Sequence, residues 1–350
     1  MGARTIVLAG SRELGTGRPA LVVAEIGQNH NGRPDLAKQL VDAAAWAGAD
    51  AVKFTKRDLD CELSSEARDC PYIGPHAFGA TYGEHRRALE LSAADYRTLV
   101  CRARHHQLLA FGTACDSPSA QLLAELGCEV IKIASRDLSN APLLEHVAEM
   151  GRPIFLSTGM SDLAEVDAAV RTVRRQGAPL VVFQCTSLYP APYEVAHLRS
   201  LATLAARYHT PVGFSDHTLG RLLAPVAVAL GAVVIEKHIT LDRRLKGTDH
   251  AVSLEPEEFR RLIADVRDVE AALGRADKPL VHEVAPIRAR LGRSLVTSAP
   301  LAEGARLDES MLVLKCPGDG LAWSKRQRFI GRRAKRPLAA NQKLSPDDFA

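Results

Sequence analysis

Eight short apolar runs recur along the chain, and each finishes on a polar or ionisable residue: Glu25, Lys53, Thr113, Lys132 (with Ser135 just beyond it), Ser157, Thr186, His217 and His238. A parallel strand buried on both faces reads as a continuous apolar run. Barrel enzymes collect their chemistry at the C-terminal ends of such strands. Eight strands of this kind with helices between them predict a (β/α)₈ barrel, an α/β fold with one crowded mouth.

The local signals follow that plan. Strand 1 is ALVVAEIG, Pro34 opens a helix at its favoured first position, and Gly48 stands ready to cap that helix after Ala47. Strand 2 is DAVKFTK, and the stretch from Arg57 to Ser92, rich in Gly, Pro and Tyr, reads as an irregular active-site lid. A helix over Ala93–His106 leads to LLAFGTA, EVIKIAS, PIFLST, LVVFQCT, PVGFSDH and AVVIEKH. Leu163–Arg174 and Leu219–Leu230 carry helical apolar spacing, and Glu257–Leu273 closes the barrel. The barrel with its N-terminal extension is expected over 1–274, followed by a linker over 275–292. From 293 to 350 the runs SLVTSAPLAEG, MLVLKCPGDG and RPLAANQKL predict a small β-rich domain, expected to dock on the barrel or on a second subunit.

Composition sets the bounds. A chain of 350 residues has room for a barrel of roughly 250 plus a small domain. No apolar stretch approaches the roughly 20 residues of a membrane span. The first residues, MGARTIVLAGSRELG, lack a helical apolar core with a cleavage site, so a cytoplasmic protein is expected. Seven cysteines without a CxxC pair argue against a disulfide framework or a zinc ribbon. Cys115 and Cys185 read as small buried fillers. The net charge of +4 does not call for nucleic acid. The cluster Lys325, Arg326, Arg328, Arg332, Arg333, Lys335 and Arg336 reads as a solvated face, or as an attractor of an anionic substrate or partner subunit.

The strand ends carry the chemistry. His217 and His238 close adjacent strands, which lie about 4.8 Å apart. Their imidazoles can converge on one divalent metal, Mn²⁺, Mg²⁺ or Co²⁺, with positions left open for water and substrate. Lys53 and Lys132 are costly in a barrel mouth unless they meet an anion. With the hydroxyls of Thr113, Ser135, Ser157, Ser187 and Ser215 they suit a small, highly charged ligand such as phosphoenolpyruvate. One lysine could instead form the Schiff base of a metal-free aldolase. Glu25, Glu236 and Asp249 are the carboxylates of the mouth, with acid–base work, sugar binding and orientation of the histidines all open.

These residues sit in longer stretches that resemble the sialic acid synthase family, which is phosphoenolpyruvate-dependent. The matching runs are VAEIGQNHNG, AVKF, YGEHRRALELS, FGTACD, GRPIFLSTGM, QCTSLYP, GFSDHTLG, EKHITLD and KGTDHAVSLEP. The tail, with LAEGARLDESMLVLK and FIGRRAKRPL, resembles the antifreeze-like (SAF) domain that ends these synthases. The resemblance implies condensation of phosphoenolpyruvate with the aldehyde of an open-chain sugar. The acceptor would be N-acetylmannosamine or a related hexose or amino sugar, and the products a sialic-acid-like 2-keto-3-deoxy sugar acid and phosphate. It implies Mn²⁺ on His217 and His238, phosphoenolpyruvate at Lys53, Thr113, Lys132, Ser135, Ser157, Ser187 and Ser215, and the sugar at Asp137, Tyr189, Glu236 and Asp249. Glu25 would act near the reacting carbons, and two chains would form a domain-swapped homodimer.

Three departures stand out. Thr55 replaces a frequent Gln, KIASRD replaces the usual KIGSGE and so brings in Arg136 and Asp137, and KCPG with Cys316 replaces a bacterial KRPG. The Arg of KRPG reads the acceptor's N-acetyl group in that resemblance. Its loss keeps a non-acetylated sugar, a sugar phosphate or a dideoxy-diamino sugar open as acceptors. A barrel that binds ligand without turnover is the non-enzymatic alternative, opposed by intact Glu25, Lys53, Lys132, His217 and His238.

Overall fold

A short antiparallel pair, β1 (Ile6–Val7) and β2 (Glu13–Leu14), precedes the eight apolar runs, which form a closed parallel barrel. The structure is a computed structural model that describes residues 5–8 and 12–350. Its barrel strands are β3 (Leu21–Gly27), β4 (Ala51–Lys56), β5 (Leu109–Ala114), β6 (Ile131–Ile133), β7 (Ile154–Ser157), β8 (Leu180–Cys185), β9 (Val212–Asp216) and β10 (Ala232–His238). Each strand pairs with the next, and β10 pairs with β3 to close the ring. The N-terminal residues within 1–4 and 9–11 lie outside the described set.

Helices cover the barrel as the periodicity predicts. Pro34–Ala47 begins on its proline and ends on Gly48, whose left-handed φ of 86° a side chain would resist. Leu163–Arg175 is held at its start by a reciprocal capping box between Asp162 and Glu165. The helix expected over Leu219–Leu230 is shorter, Leu223–Ala229. Gly220 is left-handed at φ 75°, and Pro225 is tolerated only in a first helical turn, so the helix starts late. The lid is not plain coil. It holds three short helices, Leu59–Glu62, Ser65–Asp69 and Tyr82–Ala88, each with a side-chain cap from Asp58, Ser64 or Thr81. Among the described residues no helix is long and apolar enough to cross a membrane.

The chain divides into two compact units after Gly274. In the second, β11 (Ser294–Thr297) pairs antiparallel with β12 (Leu312–Lys315) over a core of Leu295, Leu307, Phe329, Leu344 and Phe349. RPLAANQKL forms no strand of its own. It contributes single antiparallel bridges, Leu301 to Leu338 and Val296 to Lys343. The stretch read as a linker carries a helix, Ala285–Leu291, whose Ala289 carbonyl accepts from the Gly318 amide at 2.7 Å and so belongs with the second unit.

Candidate active site

Strand register stacks the ionisable residues beside one another. His238 is the cross-strand partner of Glu25, Glu25 of Lys53, Thr113 of Lys132, and Glu236 of Ser215. Alternate residues of a strand face the same side, so Glu236 and His238 share the inner face of β10. All of these residues line one cavity of about 320 Å³ at the C-terminal mouth, together with Ser135, Ser157, Tyr189, His217 and Asp249.

At its floor the charges are paired. Lys53 Nζ lies 2.9 Å from Glu25 Oε2 and 3.5 Å from Glu236 Oε1, and it donates to Thr113 Oγ1 at 2.8 Å. Lys132 Nζ donates to Glu236 Oε2 at 3.0 Å and stands 3.7 Å from the centre of the Phe183 ring. Ser215 Oγ donates to Glu236 Oε1 at 3.1 Å. Burial opposes ionisation of Glu236, but Lys132 and Lys53 outweigh it and hold this carboxyl below the ordinary carboxylate range. Glu25 goes the other way. Burial raises it to about 7, with Lys53 pulling down and Glu236 pushing up. Burial also lowers the Lys132 ammonium, with Glu236 restoring part of the shift. The floor thus holds one fixed carboxylate, one carboxyl poised near neutrality and two ammonium groups.

The two histidine rings lie 5.6 Å apart, centre to centre. His217 Nδ1 faces the Thr186 carbonyl at 2.8 Å, which fixes a proton there, and its Nε2 lies 2.9 Å from the Tyr189 hydroxyl. Burial opposes a charge on this ring, but Cys185 and the Thr186 carbonyl outweigh it and raise His217 above its ordinary value. His238 is neutral, because burial depresses it far below its ordinary value. Its Nδ1 is buried with no hydrogen-bond partner. A neutral imidazole with an orphaned nitrogen beside a second imidazole that gives up its proton on binding is a donor set that fits a divalent ion. Among the described residues no group of three or more His, Cys, Asp or Glu could hold one. Water and substrate oxygens would have to complete the shell.

Asp249 reaches the mouth from the loop after β10, where Thr248 Oγ1 and Gln28 Nε2 donate to it at 2.7 and 3.4 Å. Two expected substrate contacts sit back from the cavity. Ser187 does not line it, and its hydroxyl stands behind Ser135, Oγ to Oγ 2.8 Å. Asp137 is also set back, drawn toward Arg136 in the 3₁₀ turn Ser135–Asp137, and burial raises its carboxyl to about 6. Other lining residues were given no role by the strand-end pattern: Gln28, Arg57, Tyr72, His85, Arg86 and Cys185. Most are placed by long-range packing of the lid. His85 stacks 4.4 Å from Tyr72, and Arg86 donates to Gln28 Oε1 at 2.8 Å. Arg57 was the legible one, since it follows directly on the end of β4.

Fold and site together define a (β/α)₈-barrel enzyme with its ionisable groups gathered at the C-terminal mouth. The chain belongs to the NeuB family, whose model matches residues 40–278, and an SAF domain follows over 292–350. It is 39% identical over 341 residues to N,N'-diacetyllegionaminic acid synthase of Legionella pneumophila, covering 96% of each chain. It is 38% identical to human N-acetylneuraminate-9-phosphate synthase, covering 88% of this chain and 86% of that one. The crystal structure of N-acetylneuraminic acid synthetase from Leptospira borgpetersenii, solved with citrate, superposes with a TM-score of 0.72 at 32% identity, over 82% of this chain and 95% of that one.

Proposed function

We propose that this protein condenses phosphoenolpyruvate with the aldehyde of an open-chain sugar, forming a 2-keto-3-deoxy sugar acid and phosphate. The convergence of Lys53 and Lys132 on Glu236 beside two imidazoles carries this reading. Two buried ammonium groups match a substrate with both a phosphate and a carboxylate. The names of the relatives above support a nine-carbon acid as the product type.

Carbon 3 of phosphoenolpyruvate adds to the aldehyde, water adds at carbon 2, and the tetrahedral intermediate expels phosphate. Lys53 and Lys132 hold the anionic ends of the donor in a fixed geometry and neutralise charge as phosphate leaves. Glu25, poised near neutrality, takes the proton from the incoming water. Glu236 keeps both lysines charged. Thr113, Ser135, Ser157 and Ser215 donate to donor oxygens, and Ser187 supports Ser135. Tyr189 and Asp249 meet the sugar hydroxyls. A divalent ion, Mn²⁺ in the first instance, would be held by His217 and His238 and would supply Lewis-acid polarisation of the aldehyde. We further propose a homodimer as the working state, checked by light scattering at twice the chain mass.

Phosphate release is the direct assay. It is expected only when phosphoenolpyruvate, Mn²⁺ and an aldose are present together, in a panel spanning N-acetylmannosamine, mannose, their 6-phosphates and a 2,4-diacetamido-trideoxyhexose. Mass spectrometry should find the sugar acid. Release that ignores the aldose, or no release with any of them, would end the proposal.

A further inference from the structure

Arg57 and Arg136 stand at the rim of the same cavity, and the reaction above uses neither. Arg57 is 5% exposed, and its Nη1 is buried without a hydrogen bond. Glu62, at the end of the lid helix Leu59–Glu62, lies between the two. Its Oε2 is 3.6 Å from Arg57 Nη1, and its Oε1 is 3.4 Å from Arg136 Nη2. Asp137 Oδ2 is 3.4 Å from Arg136 Nε, and Glu90 Oε1 is 3.7 Å from Arg57 Nε. A well-made guanidinium–carboxylate bond closes at about 2.7–2.9 Å. All four contacts are longer than that by roughly half an ångström or more. Glu62 Oε2 and Asp137 Oδ2, like Arg57 Nη1, are buried with no hydrogen bond. Arg136 Nη2 also donates to Cys115 Sγ at 2.8 Å, so the shortfall falls on Arg57 and the two carboxylates, and a buried charged donor left unbonded is costly. Three oxygens on one phosphorus can reach two guanidinium forks at once, which a tethered carboxylate at these distances does not.

We propose that Arg57 and Arg136 form a phosphoryl subsite at the rim, and that Glu62 occupies it as an internal anion which the substrate displaces, freeing the lid helix. This rests on the reading that the cavity takes phosphoenolpyruvate. The phosphoryl group belongs either to that donor or to a phosphorylated acceptor sugar.

Calorimetric titration without turnover separates the possibilities. Phosphoenolpyruvate alone and mannose 6-phosphate alone are titrated into the full chain with Mn²⁺, in wild type, Arg136→Gln and Glu62→Gln. Arg136→Gln is expected to weaken one of the ligands by roughly tenfold or more. Glu62→Gln is expected to tighten the same ligand by roughly threefold to tenfold, because the competing anion is gone. A gain in affinity cannot come from misfolding. Effects on phosphoenolpyruvate assign the subsite to the donor, and effects confined to mannose 6-phosphate assign it to the acceptor. Affinities unchanged in Arg136→Gln, or not raised in Glu62→Gln, overturn the subsite while wild-type binding of phosphoenolpyruvate leaves the condensation standing. A wild type that binds no phosphoenolpyruvate overturns both.

Discussion

Lys237 Nζ and Asp216 Oδ2 meet at 3.0 Å with both side chains wholly buried, on the reverse faces of the two strands that deliver His238 and His217. Asp216 Oδ1 also accepts from the Thr218 amide and hydroxyl at 2.8 and 2.7 Å, and Lys237 donates to the Thr218 carbonyl at 2.5 Å. The turn that carries His217 is thereby clamped to the strand that carries His238. Removing one member leaves an uncompensated charge in the core, so Lys237→Met should cost about 3–5 kcal/mol of stability. Lys237→Met with Asp216→Asn should recover part of that loss, since the buried charge is then gone. Urea denaturation of the two variants checks this, and a double variant no more stable than the single one counts against it.

Lys132 is the ammonium most committed to the floor, bonded to Glu236 and seated over Phe183. Lys132→Met removes a donor to the anionic substrate and strips Glu236 of its nearer partner. A fall in kcat/KM for phosphoenolpyruvate of about 100-fold or more is expected, as for loss of one oriented charge-stabilising donor. Steady-state kinetics at saturating aldose would show it, with circular dichroism confirming retained fold. A variant within a factor of a few of wild type would remove Lys132 from the reaction.

Metal dependence has a readout apart from turnover. Protein stripped with a chelator and titrated with Mn²⁺, following the paramagnetic resonance of the free ion, should bind about one equivalent through two imidazoles. His217→Ala and His238→Ala should each lose that binding. Tyr189→Phe should keep it, because the bond removed is the one that now occupies His217 Nε2. Equal Mn²⁺ binding by wild type and both alanine variants would place any metal elsewhere.

The barrel was legible because each strand is an uninterrupted apolar run, and because register turns strand ends into neighbours without help from loops. Glu25, Lys53, Thr113, Lys132, Glu236 and both histidines come together for that reason alone. Where backbone direction is set by local turns, the pattern thinned. The run EVIKIAS yields only Ile131–Ile133 as strand, since the chain turns at Ser135–Asp137 and carries Asp137 back from the cavity. Arg57, Tyr72, His85 and Arg86 reach the mouth through contacts within a folded lid, such as the Tyr72–Tyr82–His85 ring cluster, and no periodicity encodes those. RPLAANQKL looks like a strand but is held by isolated bridges, because pairing depends on partners distant in sequence.

His30 supplies the pH test. It follows β3 and is 1% exposed, its Nδ1 accepting from the Gly32 amide at 3.1 Å. Burial lowers it to about 4, against a backbone hydrogen bond to Gly27 that raises it and with the Arg57 charge adding to the depression. Above its ordinary value near 6.5 the ring is neutral folded or unfolded. Between about 6.5 and 4 the unfolded chain takes up a proton that the folded chain refuses, so stability falls as pH falls through that window. Below about 4 both states are protonated and this loss is complete, at roughly 3 kcal/mol for a shift of this size. In His30→Asn the side-chain oxygen can still accept from Gly32, and nothing titrates. Urea midpoints between pH 7.5 and 4.5 should therefore fall less steeply in His30→Asn than in wild type. His85, also held near 4 mainly by burial, keeps some slope in both. Parallel pH profiles for the two proteins would mean that His30 binds its proton equally well in the folded and unfolded chain.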